Sequence, residues 1–135
     1  MKSHWISAVA GGIMLTAMPM LAHHSFAAEY DRSQPITLKG TVTKVEWMNP
    51  HARFYLDVKD DSTGKVTNWE FELGSPNGLM RQGWTRNSLK EGEVVEVKGS
   101  RAKDGSNLVN ASNVAFENGK RVLGGASSAD DPNTK

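Results

Sequence analysis

From Thr37 onward, apolar residues recur at every second position, and twice they change sides. Leu38, Gly40 and Val42 share one parity, and Val45 and Trp47 continue on the other. Side chains alternate strictly along a strand, so such a switch demands an extra residue, a bulge near Thr43-Lys44 that bends the strand. Phe54, Leu56 and Val58 mark the inner face of a second strand, and Asp60-Asp61-Ser62-Thr63-Gly64 is turn chemistry. Trp69, Phe71 and Leu73 mark a third strand, with Asn68, Glu70 and Glu72 on its solvent side. The period then breaks at Gly74-Ser75-Pro76-Asn77-Gly78, read as loop, and residues 79–84 allow a turn or two of helix. Val95 and Val97 mark a fourth strand, and Lys103-Asp104-Gly105 a turn. Val109 and Ala111, then Val114 and Phe116, mark a fifth strand with the second parity switch. Asn118-Gly119 turns into a short piece at residues 121–123.

Five strands, a long bent first strand and a helical linker between strands three and four predict an all-β, five-stranded OB-like Greek-key barrel. A small open β-sandwich of the same strands is the competing fold. The expected organisation is a signal peptide over residues 1–22, an irregular N-terminal arm over 23–35, the β domain over 36–123 and a disordered tail over 124–135, which is rich in Ser, Asp and Gly.

The first segment carries Lys2, an apolar run over residues 6–15 and Pro19 before Ala22. The run is too short and interrupted to span a membrane and has the layout of a secretory signal. Cleavage after Ala22 is favoured, with cleavage after Ala27 the alternative, and either predicts an exported, periplasmic protein. There is no cysteine, which excludes a lipid anchor on Cys, a disulfide and any thiolate ligand or nucleophile. Removing residues 1–22 from the 135 leaves 113, enough for one domain with its own core. Lys2 is the sole charge of that segment, so 15 basic residues then face 15 acidic ones. A neutral chain has no electrostatic footprint for nucleic acid or an anionic membrane, and neither is expected as a partner.

The motifs His23-His24-Ser25-Phe26, Leu38-Lys39-Gly40-Thr41-Val42, Trp47-Met48-Asn49-Pro50-His51, Gly74-Ser75-Pro76-Asn77 and Arg81-Gln82-Gly83-Trp84 occur in this order. In them the chain resembles a family of small exported bacterial proteins of unknown function, DUF6152, over nearly its whole mature length. The resemblance implies a proteobacterial periplasmic protein and brings no activity, substrate or catalytic residue. Ala52 departs from the polar or larger residue expected there.

Three of the four histidines, His23, His24 and His51, would remain after cleavage. A free amine on His23, its imidazole and a third nitrogen from His51 make a three-nitrogen set suited to copper. His24, with the amine and the intervening amide, is the alternate ligand, and Glu29, Asp31 or water can complete the shell. The plain account is an exposed His-His pair with no physiological metal and a His51 that caps its turn. A second constellation, Asn49, Tyr55, Trp84, Arg81 and Arg86, is a candidate for a ligand or partner. Rings on such a barrel stack sugars or bases, and loop amides with guanidiniums hold anions. Against this, Trp47 and Trp69 lie on core parity, Trp84 can plug the barrel end, and Glu70 and Glu72 read as solvated strand-face acids.

The expectation is therefore a periplasmic metal-binding module, copper first, and not an enzyme. The alternative is a metal-free domain that binds a periplasmic protein or small ligand. An oxidative copper enzyme ranks last, because one small barrel offers little substrate surface.

Overall fold

The computed structural model describes residues 26–117 and 122–124. Among the described residues the chain is mostly β, with six strands in one mixed sheet and two short helices. A short helix, α1 (Phe26–Glu29), leads into the 17-residue β1 (Tyr30–Glu46). Then come β2 (Arg53–Lys59), β3 (Val66–Glu72), α2 (Pro76–Arg81), β4 (Val94–Ala102), β5 (Leu108–Phe116) and β6 (Val122–Gly124). The strand order is β3-β2-β1-β4-β5-β6, and β3 also pairs in parallel with β5. The pairings thus run from β1 through β2, β3, β5 and β4 back to β1.

β1 can serve both ends of that ring because it changes partner part-way. Residues from Pro35 to Thr41 pair with β4, and Thr41 to Glu46 pair with β2. The register shifts between Val42 and Lys44, the expected bulge, so that Val42 and Val45 both turn to the core. A second shift at Lys98/Gly99, opposite β5, accounts for the other parity switch. Two glycines allow the close crossings this curvature needs. A Cβ at Gly40 would stand 2.4 Å from the Asp57 carbonyl oxygen, and one at Gly99 2.1 Å from that of Asn110.

The core gathers the inner parity of every long strand: Val42, Phe54, Leu56, Phe71, Val95, Val97, Val109 and Val114. Phe54 and Phe71 stack at 4.9 Å between centroids. The linker adds Leu79, Trp84 and Leu89. Pro76, Asn77 and Gly78, expected in a loop, instead open α2: Ser75 caps it by accepting from the Gly78 N–H, and Pro76 takes the first helical position, where its missing donor costs nothing. Trp69, expected in the core, is only half-buried, with the Arg101 guanidinium 5.2 Å from its ring centre. Ala52 is wholly buried.

The described part of the segment expected as an irregular arm, residues 26–35, is regular, forming α1 and the start of β1. Tyr30 pairs with Ala102, and the Glu29 carbonyl accepts from the Lys103 N–H. The expected signal segment, His23 and His24 lie outside the described residues, as do residues 125–135 of the expected tail.

Candidate functional site

His51 sits just before β2, after the cis Asn49–Pro50 peptide. Two backbone bonds carry the β2–β3 ladder past the strand ends: Ala52 N–H to the Gly74 carbonyl and Leu73 N–H to the Ala52 carbonyl. They set His51 on the same face as Arg53, diagonally across from Glu72. There the Nδ1 of His51 lies 2.9 Å from Oε1 of Glu72. The imidazole side chain is 38% exposed and the glutamate side chain only 9%.

Glu72 was expected in solvent, and its burial is the main correction to the site. Alternation puts it on the outer face, but the N-terminal segment covers that face. Register partners share a face, so Glu46, Arg53, Glu72, Asn110 and Ser100 form one polar row across β1, β2, β3, β5 and β4. Tyr30, paired with Ala102 on the same face, closes over the middle of it. Tyr30, Ala102, Glu72 and Asn110 are all buried, yet Tyr30 and Ala102 stand apart from the main core cluster. They make a small second core on the outside of the sheet.

Two polar atoms inside it make no hydrogen bond of standard geometry, the Tyr30 hydroxyl and Asn110 Oδ1. Burial, and after it the neighbouring Glu72 carboxylate, push the Tyr30 phenol far above its usual range. Arg53 ties the row together, with Nη1 2.7 Å from Glu70 and Nη2 3.5 Å from Glu72. Burial opposes its charge, but Glu70 and Glu72 together raise its pKa. Next to it, Lys44 donates to Glu46 and lowers that carboxyl's pKa, and the Tyr55 hydroxyl donates to Glu46 Oε2 at 3.2 Å.

The other candidates do not join His51. Asn49 is exposed in the turn, and Arg81 and Arg86 are exposed on the linker. Tyr55 is half-buried, with the Lys44 ammonium 5.3 Å from its ring centre, so the ring is already engaged. Trp84, at 2% exposure, belongs to the core and offers no stacking surface. Tyr30, Arg53 and Asn110 were not anticipated. An aromatic residue seven places before the strand pattern begins, opposite polar-face acids, was the available hint. Among the described residues, no group of three His, Asp or Glu side chains could hold a metal ion. His51 would need ligands from beyond them. No helix among them is long and apolar enough to cross a membrane.

A family described as of unknown function (DUF6152) matches residues 11–110. The chain belongs to the DUF6152 family. The matched span takes in His23, His24, Tyr30, His51, Arg53, Glu72 and Asn110. No curated protein matches this DUF6152 chain, and no solved structure does.

Proposed function

We propose that this DUF6152 protein is an exported, periplasmic OB-like domain that binds a transition-metal ion, copper first, through His51 and the histidines at its mature N-terminus. The β1-β2-β3-β5-β4-β1 circuit, with its parallel β3–β5 step and the α2 linker between β3 and β4, supports the OB-like barrel. The layout of residues 1–22 supports export.

The observation that carries the metal reading is the anchoring of Tyr30 beside Glu72, the partner of His51. His24 and His23 precede Tyr30 by six and seven residues. Four of the intervening residues form α1, about 6 Å long, and the reading has the two histidines that precede it turn back toward His51. The charge balance also favours a cation over an anion. The carboxylates of Glu46, Glu70 and Glu72 outnumber the paired cations of Lys44 and Arg53.

The test is the intact mass of protein purified from the periplasm, followed by Cu(II) titration of that material. The expected result is a chain starting at His23 that binds one tight equivalent, lost in His51→Ala. A start at Ala28, or weak binding without a defined stoichiometry, overturns the reading. The metal-free alternative, a domain gripping a protein or small ligand, then rests on Met48, 54% exposed beside Asn49.

A further inference from the structure

We infer that Glu72 is a positioning residue for His51, one that selects Nε2 as the ring atom offered to a metal; this rests on the copper reading above. A carboxylate only accepts hydrogen bonds. At 2.9 Å from Glu72 Oε1, Nδ1 of His51 must therefore carry the proton, and the lone pair falls on Nε2. The ring is exposed enough for that edge to meet a ligand, while the glutamate beneath it is not.

What separates this pair from a surface ion pair is how Glu72 is held. Its second oxygen faces Arg53, which is itself tied to Glu70. The Tyr30 ring, buried over the same face, excludes water that would otherwise compete for the carboxylate. Asn110, its register partner on β5, is 5% exposed and leaves Oδ1 unpaired. The Tyr30 hydroxyl lies beside the same carboxylate without donating to it in standard geometry. Arg53 of β2 and Tyr30 of the N-terminal segment thus hold one carboxylate of β3 against one imidazole nitrogen. Metal-binding histidines are commonly oriented in this way, and loss of the orienting group costs about 10–100-fold in affinity.

Two measurements test this, and one needs no metal. In metal-free protein at pH 9, the nitrogen NMR signals of the His51 ring should report the Nδ1–H tautomer. In Glu72→Gln, whose amide can donate or accept, they should report a mixture. Cu(II) affinity should fall about 10–100-fold in Glu72→Gln and recover in part in Glu72→Asp. A wild-type ring carrying its proton on Nε2 overturns the inference, as does Glu72→Gln binding Cu(II) as tightly as wild type. If wild type binds no Cu(II) but shows the Nδ1–H tautomer, and Glu72→Gln loses it, the copper reading falls and the positioning role stands. Should Glu72→Gln fail to fold, the wild-type tautomer decides.

Discussion

Replacing Tyr30 by phenylalanine should make the protein more stable. The ring is 2% exposed and covers the outer-face cluster, but its hydroxyl has no hydrogen bond of standard geometry. A buried hydroxyl that lies beside Glu72 but outside standard hydrogen-bond geometry recovers little of the about 1–3 kcal/mol lost with its hydration. Tyr30→Phe removes that atom and keeps the ring in its tilted contact with Phe26, 5.4 Å between centroids. The expected gain is about 1 kcal/mol, the low end of that range, because the ring must resettle slightly. Tyr30→Ala removes the ring itself and should cost about 3 kcal/mol, the low end for deleting a buried aromatic, since the site lies at the sheet's outer face. Urea unfolding at pH 7 with linear extrapolation measures both, and an unchanged slope shows that the surface exposed on unfolding is the same. The phenol adds an alkaline signature. Its pKa is raised in the folded state above the reference 10.0, by burial first and Glu72 second. Wild type therefore holds its full stability below pH 10 and loses it as the pH climbs beyond, because the unfolded chain releases the proton first. Tyr30→Phe should lack that loss. A drop of about 1 kcal/mol in Tyr30→Phe at pH 7, the worth of a real hydrogen bond, would refute the reasoning and show that the hydroxyl donates to Glu72.

Two further outcomes follow from the fold. Gly99→Ala should destabilise by about 1–3 kcal/mol or more, because its Cβ would meet backbone atoms of Asn110 that cannot rotate away; a loss below about 0.5 kcal/mol in urea unfolding contradicts the close β4–β5 crossing. In the β2–β3 turn, the Ser62 hydroxyl first, then the Thr63 and Ser62 N–H groups, lower the Asp60 carboxyl from 3.8 to about 2. Its contribution to stability is present above pH 3.8 and fades as the pH falls through about 2; a carboxyl NMR titration with its midpoint near 3.8 would remove that contribution.

Much of the sheet was legible because strand alternation is a short-range pattern. Val42 and Val45 both had to face inward, so the bulge between them followed from their spacing alone. The same holds for the turn at Asp60, where side chain and backbone sit within a few residues. The loop reading failed at Pro76, Asn77 and Gly78 because Pro76 reads equally as a loop residue and as the first residue of a helix, and only the Gly78 N–H meeting the Ser75 oxygen decides between them. Glu72 was out of reach for a different reason. Parity assigns a side chain to a face; it does not say whether that face meets water. That depended on Tyr30, 42 positions away and outside the strand pattern, docking against Ala102.

The burial of Glu72 also sets what the site can and cannot be. A half-exposed glutamate beside a histidine holds no orientation, since water competes for every lone pair. Here Tyr30 removes that competition, so covering the outer face and aiming His51 are consequences of one docking event. His23 and His24 precede that segment in the sequence, and the copper reading proposed above brings them to the ring it aims. On the copper reading, any change that undocks Tyr30 does two things together: it exposes Glu72 to water and releases the histidines that would share a metal with His51. A purely structural Tyr30–Glu72 contact predicts the first effect alone. Cu(II) titration of Tyr30→Ala, under conditions where the variant remains folded, separates the two: loss of the tight equivalent along with His51 tautomer control supports the coupling, and loss of tautomer control with copper binding intact breaks it.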